Sequence, residues 1–350
     1  MLSLKKIIEI TKNEELQFIT GANKDKTLLL DGDLIVYKAA AISDNLRQAV
    51  VKFYNMCLVQ GFKTGTENIR VFITPSNNFK QYRRFYPSVK EYQGNRLVKQ
   101  ILPLVAPVRE HLVVNPVEFK NKGIEIFYNY EYEADDLITI DSYALKDKSL
   151  ICSGDKDLRL SPYPYWEAKD NRVSELHQGC RETAEIDNDF GYIYLDNSTE
   201  NTTIKGHGLK FFHAQLLMGD PVDNIQGLLE FKGKSIGVKR TWDILESIDD
   251  EEESLRFILD AYRGIGQNIL AEAELLFMRR YPFDTAFNYF NEFPLDFMHV
   301  VYLSECMQEI VEYVQKATKK LTSFSYSNRD TPEFRKAYWN YKLTGGKHNG

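Results

Sequence analysis

Short apolar runs that end at an aspartate are the feature that most constrains this chain. Leu28-Leu29-Leu30 leads directly into Asp31, and Leu150-Ile151-Cys152 is followed by Gly154-Asp155-Lys156-Asp157. Runs of this kind are typical of strands buried in a parallel sheet. Such sheets place their active sites outside the carboxyl ends of the strands, so carboxylates at that edge suggest a cation site. Because Asp and Gly are ordinary loop residues, the second run taken alone fits a plain turn better.

Helical patterns between these runs predict an α/β fold. Residues 34–41 and 46–60 have helical periodicity, and residues 70–74 read as a β-branched and aromatic strand. We predict two further short strands at residues 111–115 and 124–127. Since strands alternate with helices, the pattern indicates a mostly parallel central sheet.

The composition is that of an ordinary globular protein. Of 350 residues, 43% are hydrophobic and 27% are charged. No apolar run approaches the roughly 20 residues of a membrane-spanning helix. There is no signal-peptide pattern either, so we expect a cytoplasmic protein with no membrane partner. The four cysteines lack metal-type spacing and are expected to be reduced thiols. The net charge of −6 argues against coating nucleic acid through bulk charge, although it hides local patches.

Residues 79–100 depart from this acidic average. Six basic residues face one acid there, Glu91, and tyrosines and phenylalanines are interleaved with the cations. Cations recognise phosphates and flat rings stack on bases, so the mixture suits a nucleic-acid strand. A solvated helical face with a few packed aromatics fits the same window equally well.

Carboxylates cluster at a predicted helix start in Glu133-Ala134-Asp135-Asp136. Exposed backbone amides at a helix N-terminus favour one or two acids for structural reasons alone. Three acids fit that explanation less well. Glu133 and Asp136 share a helix face while Asp135 points to the side, so the group could serve two neighbouring cations.

A further acidic group stands just before a basic stretch. Asp220 and Asp223 are followed by residues 233–240, a glycine-punctuated basic segment that opens a helix. Backbone amides and cations at such a helix start suit a phosphodiester. Carboxylates without paired Cys or His favour Mg²⁺ or Mn²⁺ over zinc. Two ions roughly 4 Å apart could activate a water and stabilise the leaving oxygen of a phosphodiester displacement.

Four motifs in sequence order resemble the signatures of the 5′ nuclease, or flap endonuclease, family. They are Leu-Leu-Leu-Asp31-Gly-Asp, Glu133-Ala-Asp135-Asp136, Ser-Gly-Asp155-Lys-Asp157-Leu and Gly219-Asp220-x-x-Asp223-Asn224. The phage 5′-to-3′ exonucleases are the branch they resemble most, over residues 27 to about 245. The resemblance implies a PIN-like α/β nuclease domain with a helical arch and two Mg²⁺ or Mn²⁺ ions. It also implies a helix-three-turn-helix motif that grips duplex DNA, often with a backbone-bound K⁺.

The resemblance also implies individual roles. Asp31, Glu133 and Asp135 would hold the first metal. Asp136, Asp155, Asp157 and Asp223 would serve the second, with Asp220 nearby as a ligand through water or as a helix cap. The residues expected to bind the scissile phosphate are Arg83 or Arg84, Arg96 and Lys90. The residues expected to bind DNA are Lys80, Tyr82, Tyr92, Gln93, Gly227, Lys232, Lys234, Ser235, Gly237, Lys239 and Arg240.

Two positions depart from the family pattern. Pro75 stands where the family normally has an acid after the second strand. Gln93 replaces the arch lysine in Tyr92-Gln93-Gly94-Asn95-Arg96. Lys90 lies three residues before Gln93, on the same face of a helix, so we expect it to reach the same phosphate.

The predicted organisation has four parts. An N-terminal helical extension covers residues 1–26. The PIN-like nuclease domain covers 27–210, with the arch at about 77–100 and a β-hairpin insert at about 161–208. A helical DNA-binding region covers 211–321, with the helix-three-turn-helix motif at about 214–245, and residues 322–350 form a tail.

The function expected from the resemblance is a metal-dependent 5′-to-3′ exonuclease or flap endonuclease. Its substrates would be 5′ ends, flaps or nicks of double-stranded DNA or RNA primers in an RNA–DNA hybrid, and replication proteins would be partners. A DNA-structure-binding protein of the same fold is one alternative, because Pro75 and Gln93 remove expected groups. A haloacid-dehalogenase-type phosphatase is the other, with Asp31 as nucleophile, Asp33 as acid and Asp155 as Mg²⁺ ligand.

Overall fold

The computed structural model describes residues 23–96, 102–167, 172–174, 190–198 and 200–325. Most of the predicted N-terminal extension lies outside this part of the chain. The same holds for the end of the predicted arch, for Cys180 and for the tail after Ser325.

A six-stranded sheet forms the centre of the molecule. Its strands are β1 (Thr27–Asp31), β2 (Asn68–Ile73), β3 (Ile124–Tyr128), β4 (Ser149–Cys152), β5 (Tyr165–Glu167) and β6 (Arg172–Ser174). They lie in the order β3-β2-β1-β4-β5-β6, and every neighbouring pair is parallel except β5 with β6. The predicted α/β fold with a mostly parallel sheet is therefore confirmed.

Helices surround the sheet and form the C-terminal half. They are α1 (Gly32–Ala41), α2 (Leu46–Thr64), α3 (Val105–Val114), α4 (Pro116–Lys120), α5 (Ala134–Leu145), α6 (Leu209–Met218), α7 (Val238–Leu245), α8 (Glu251–Gly264), α9 (Ile269–Leu276), α10 (Ala286–Phe290) and α11 (Phe297–Ser325). None of these described helices has both the length and the apolar character needed to cross a membrane. Because α11 runs to Ser325, the predicted start of the tail at residue 322 falls inside a helix.

Successive residues of β1 pack on opposite faces of the sheet, as the pleat of a strand requires. Leu28 and Leu30 belong to one core, together with Phe53 of α2. Leu29 belongs to a second core on the other face, together with Ile138 of α5. The half of the chain that carries the sheet is thus a three-layer structure in which helices cover both faces of the sheet.

The predicted strand at residues 111–115 is wrong, because residues up to Val114 belong to α3. Val108 and Leu112 are four residues apart and both fully buried against the sheet layer. That spacing is the helical repeat, and a short apolar run cannot by itself distinguish a helix from a strand.

The predicted helical arch is not seen as an α-helix in its described part, residues 77–96. Two 3₁₀ turns, Lys80–Phe85 and Gly94–Arg96, are the helical elements there. The left-handed backbone of Gln93, with a φ of 55°, interrupts any longer helix. The prediction that Lys90 and Gln93 share a helix face is therefore wrong.

A third core lies among the C-terminal helices and includes Phe212 of α6 and Leu259 of α8. The hairpin of β7 (Tyr192–Asp196) and β8 (Thr203–His207) forms a separate antiparallel sheet beside it. Tyr92 from the predicted arch is buried in this same core. The basic window is therefore packed onto the C-terminal half.

Helices α6 and α7 are joined by turns in the range predicted for the helix-three-turn-helix motif. Gly219 and Gly227 face each other there, with φ values of 74° and 69°. A Cβ at Gly219 would lie 2.4 Å from the backbone oxygens of Gln226 and Ile225, and one at Gly227 would lie 2.4 Å from the nitrogen of Gly219. Only glycine fits this close approach.

Candidate active site

The strand order reverses beside β1, since β2 lies on one side of it and β4 on the other. The crevice outside the carboxyl ends of such neighbouring strands is where open α/β sheets bind ligands. Asp31 is the last residue of β1, and Asp155 follows the end of β4. The carboxylates predicted from the two apolar runs therefore reach the same crevice.

Asp31 is fixed by two hydrogen bonds. Its Oδ1 accepts from the backbone N–H of Leu34 at 3.1 Å and caps α1. Its Oδ2 accepts from the hydroxyl of Ser153 at 2.8 Å, which joins the end of β1 to the loop after β4. The cap and the hydroxyl together orient the carboxylate toward that loop.

The loop after β4 places two carboxylates close together. Oδ1 of Asp155 accepts from the backbone N–H of Asp157 at 3.0 Å, and the N–H of Asp155 donates to Ser153 at 2.9 Å. Burial, and then the charge of Asp157, raise the pKa of Asp155 to about 6. A bound cation would relieve this repulsion.

Asp157, Asp220 and Asp223 offer carboxylate oxygens that all lie within 4.8 Å of one another. Within the described ranges, this is the group of acidic, histidine or cysteine side chains that is close enough to hold a metal ion. An all-oxygen set suits a hard divalent cation such as Mg²⁺ or Mn²⁺. Asp220, expected to act through water or as a cap, belongs to this group, and its Oδ1 also accepts from the N–H of Val222 at 2.8 Å.

Lys156 lies against this cluster, although no role for it was expected from the sequence. Its Nζ is 2.7 Å from Oδ1 of Asp157 and 2.8 Å from Oδ2 of Asp220. Although burial alone would lower it, these two carboxylates raise the pKa of Lys156 above its ordinary value. The only sequence signal was its position between the two aspartates of the motif.

Asp135 is the least compensated carboxylate of the site. Burial, and then the charges of Asp155 and Asp31, raise its pKa well above the ordinary value. Its side chain has no hydrogen-bond or ion-pair partner in the described part of the chain. Asp31, Asp135 and Asp155 do not, however, approach one another as closely as the cluster around Asp223 does. The first-metal group expected from the resemblance, Asp31, Glu133 and Asp135, is likewise not such a close group among the described residues.

Glu133 and Asp136, predicted as metal ligands, are paired with cations instead. Arg83 lies 3.0 Å from Glu133 and 2.8 Å from Asp136, and Lys80 lies 2.8 Å from Glu133. Although burial alone would raise it, Lys80 and Arg83 lower the pKa of Glu133 to about 2. Asp136 is completely buried.

Two basic residues of the predicted arch, Lys80 and Arg83, thus form ion pairs inside the protein. The side chain of Arg83 is 2% exposed, so it does not lie on a surface that a phosphate could reach. Lys80 binds Glu133 and also donates to Oε1 of Gln93 at 2.8 Å. Lys80 and Arg83 turn inward because the buried acids at the start of α5, Glu133 and Asp136, require compensating charge. Arg84 and Lys90 remain exposed, as predicted for phosphate-binding residues.

The segment around Gln93 is fastened to the Asp220–Asp223 turn. The backbone N–H of Gln93 donates to the carbonyl of Asp223 at 2.9 Å. Tyr92 is buried and donates its hydroxyl to Glu133 at 3.1 Å, so its ring is not available to stack on a base. The side chains of Tyr82 and Arg96 lie outside the described part of the structure.

The predicted DNA-binding residues before and within α7 form an exposed basic surface. An open cleft of about 670 Å³ is lined by Lys234, Ser235, Lys239, Arg240 and Asp243. Lys232 and Gly237 are also exposed, and Arg240 is half-buried.

Gly227 differs from the predicted DNA-binding residues between 232 and 240, because it is buried and its backbone groups are already bonded. Its N–H donates to Glu272 at 3.2 Å and its carbonyl accepts from Gln267 at 2.8 Å. Glu272 also accepts from the N–H of Val89 at 2.8 Å, so it joins the basic window to the turns after α6. No pattern in the sequence indicated this role for Glu272.

No protein-family model and no curated protein matches the chain. Solved structures to which the chain is similar include a T5 5′-exonuclease with bound zinc ions, with a TM-score of 0.45 and 18% identity over 85% of this chain and 98% of that one. A bacteriophage T5 flap endonuclease complex with DNA and metal ions has a TM-score of 0.48 and 16% identity, over 83% and 99% of the two chains. The catalytic core of Rad2 with a DNA substrate has a TM-score of 0.37 and 14% identity, over 83% and 75%.

Proposed function

We propose that this chain is a metal-dependent nuclease that hydrolyses phosphodiester bonds at 5′ ends, flaps or nicks of duplex DNA. The observation that supports this most is the cluster of Asp157, Asp220 and Asp223, whose oxygens lie within 4.8 Å of one another. The same turn that carries Asp220 and Asp223 leads into the exposed basic surface of α7. A cation site and a phosphate-binding surface are therefore joined by one short segment.

In this proposal Asp157, Asp220 and Asp223 hold one Mg²⁺ or Mn²⁺ ion, and Asp31, Asp135 and Asp155 line the place of a second. Divalent ions in such sites lower the pKa of a bound water and polarise the phosphate oxygens. The carboxylate of Asp31 accepts from the hydroxyl of Ser153, and the backbone N–H of Asp155 donates to the same hydroxyl. These bonds hold the two acidic residues in place at the crevice. A cation at this cluster would take the place of Lys156, which now pairs with Asp157 and Asp220.

Lys234, Lys239 and Arg240 bind backbone phosphates of the duplex in this proposal. They line one open cleft beside the N-terminus of α7, where unpaired backbone amides favour an anion. Contacts of this kind fix the position of the duplex without reading its sequence. The 5′ end would then extend toward the carboxylate crevice.

A DNA-structure-binding protein that does not cleave is the second candidate. The observation in its favour is that Lys80, Arg83 and Lys156 already neutralise acidic side chains of the site. Of the two alternatives raised by the sequence, the phosphatase is opposed by the position of Asp33. Its Oδ1 pairs with Arg109 at 3.0 Å and accepts from the N–H of Thr74 at 3.2 Å.

The deciding experiment is a digestion of 5′-labelled duplex, flap and nicked DNA with and without Mg²⁺ or Mn²⁺. The proposal expects short 5′-labelled products that require the metal. Asp157→Asn should lower the cleavage rate about 100-fold or more and keep DNA binding, while Asp44→Asn, at an exposed residue before α2, serves as the control. Binding without cleavage in the wild type would support the binder, and hydrolysis of small phosphate monoesters alone would support the phosphatase.

A further inference from the structure

Arg83 connects three separate parts of the chain. Its guanidinium lies 3.0 Å from Glu133 and 2.8 Å from Asp136, the residues that form the capping box of α5. It also donates to the carbonyl of Phe277, which follows α9, at 3.3 Å. With 2% of its side chain exposed, Arg83 is fixed inside the protein.

All four carboxylate oxygens of Glu133 and Asp136 have partners. Oε1 of Glu133 lies 2.8 Å from Lys80, and Oε2 accepts from Arg83 and from Tyr92. Oδ1 of Asp136 accepts from Arg83, and Oδ2 accepts from the backbone N–H of Glu133 at 3.3 Å. A metal ion at Asp136 would have to displace a completely buried ion pair.

Asp135 precedes Asp136 by one residue, but its carboxylate has no hydrogen-bond or ion-pair partner in the described part of the chain. Consecutive residues of an α-helix point about 100° apart, so Asp135 and Asp136 cannot face the same partner. Burial, and then the charges of Asp155, Asp31, Glu133 and Asp33, raise the pKa of Asp135. Asp135 therefore lies near the other carboxylates of the crevice, whereas Asp136 is completely buried and paired with Arg83.

We propose that Arg83 is a positioning residue, not a phosphate-binding one, and that Asp136 is its anchor and not a metal ligand. By holding Asp136 and one oxygen of Glu133, Arg83 fixes the first turn of α5 so that Asp135 points into the carboxylate crevice. This inference rests on the proposed function, since it assigns the ligands of the same cation site. It changes the roles of two residues that the family resemblance placed in direct contact with metal or substrate.

Adjacent carboxylates in one helical turn provide a matched pair of variants. Mn²⁺ binding to the full chain is measured by calorimetry for wild type, Asp135→Asn and Asp136→Asn, below the unfolding temperature of each. We expect Asp135→Asn to weaken Mn²⁺ binding about tenfold or more and Asp136→Asn to change it less than about threefold. Equal losses in the two variants would overturn the proposal.

Arg83→Lys and Arg83→Ala test the positioning role. Arg83→Lys should weaken Mn²⁺ binding by a smaller factor than Arg83→Ala, because a lysine retains the charge but not the two-pronged contact. The dependence of DNA binding on salt should keep the wild-type slope, since Arg83 releases no counterion. A slope reduced by about one charge would identify a phosphate contact and overturn the proposal.

The same measurements separate this inference from the proposed function. If the wild-type chain binds no Mn²⁺, both fail. If it binds Mn²⁺ but Asp136→Asn loses as much affinity as Asp135→Asn, only the inference fails. If Arg83→Ala does not fold, Arg83→Lys and the Asp135/Asp136 pair still decide the outcome.

Discussion

Lys156 Nζ lies 2.8 Å from Oδ2 of Asp220, one of the three carboxylates of the acidic cluster. Asp220 is almost completely buried, whereas 38% of the Lys156 side chain is exposed. The same ammonium lies 2.7 Å from Asp157. The cluster that is best arranged for a divalent cation thus carries its own counter-charge, on a side chain that can reach solvent.

Removing this counter-charge should strengthen cation binding. In Lys156→Met, a divalent ion no longer has to displace an ammonium, so we expect Mn²⁺ affinity to rise by about three- to tenfold, the size of a partly exposed ion pair. The chain without metal should become less stable, because Asp157 and Asp220 lose their partner. Calorimetry and thermal unfolding measure both effects.

Lys122→Met is the control for the Lys156 variant. Lys122 pairs with Glu118 on the surface, 2.7 Å away, and contacts none of the acidic cluster of Asp157, Asp220 and Asp223 in the described structure. Its removal should leave Mn²⁺ affinity unchanged. Weaker Mn²⁺ binding in Lys156→Met than in wild type would contradict the displacement argument.

Cation binding should depend on pH through Asp155. Its pKa of about 6 means that the carboxyl is increasingly protonated below that pH, and a cation binds the deprotonated form. We expect the apparent Mn²⁺ affinity to fall by up to about tenfold per pH unit as the pH falls below 6. Calorimetric titrations between pH 5 and 8 measure the profile.

The Asp155 carboxyl makes the opposite contribution to folding. The pKa of Asp155 is about 6 in the folded chain and 3.8 ordinarily. Between these two pH values the folded chain therefore binds more protons at this carboxyl than the unfolded chain does. The contribution of this carboxyl to stability is therefore lost as pH rises through about 6. Asp155→Asn should remove this component and flatten the Mn²⁺ profile near pH 6. An unchanged profile in that variant would assign the titration to another group.

The positions of Asp31 and Asp155 could be predicted from the sequence because they depend on local pattern. A buried strand needs a short apolar run, and a parallel sheet places the ends of such runs at one edge. The observed register pairs Leu30 with Cys152, which brings the two carboxyl ends level. Fold class and the acidic edge follow from these facts.

The role of Arg83 could not be predicted in the same way. Its partners Glu133 and Asp136 lie about fifty residues later in the chain. A basic residue in an aromatic window has the same local pattern whether it faces DNA or a buried acid. Only the packing of residues 80–93 against α5 and the C-terminal core distinguishes the two.

The basic surface of α7 should control DNA affinity through phosphate contacts. Lys239→Ala is expected to weaken binding to all duplex sequences alike and to reduce the slope of log affinity against log salt by about one. Lys120→Ala, at an exposed lysine on α4, should leave the slope unchanged. Fluorescence anisotropy at several salt concentrations measures it. Equal slopes for Lys239→Ala and wild type would remove α7 from the DNA-binding surface.

Stability at acidic pH should be limited by His213, which is completely buried in the C-terminal core. Its Nδ1 lies 2.8 Å from the hydroxyl of Ser254, and its Nε2 lies 2.8 Å from that of Tyr289. Tyr289 donates its hydroxyl to Glu251, so it accepts from Nε2–H, and Nδ1 accepts from Ser254. Burial lowers the pKa of His213 to about 3.

Because the pKa of His213 is lowered in the folded chain, the folded state loses stability as the pH falls. As pH falls below about 6.5, the unfolded chain gains a proton on this histidine that the folded chain does not bind. The contribution of His213 to the free energy of unfolding is therefore lost at about 1.4 kcal/mol per pH unit down to pH 3. Urea unfolding between pH 5 and 7 gives the free energy of unfolding at each pH. Its slope against pH should be smaller in His213→Asn, by a difference that approaches one proton near pH 5. His111→Asn, at a half-exposed histidine, should match wild type. Equal slopes for wild type and His213→Asn would mean that the imidazole is protonated inside the core.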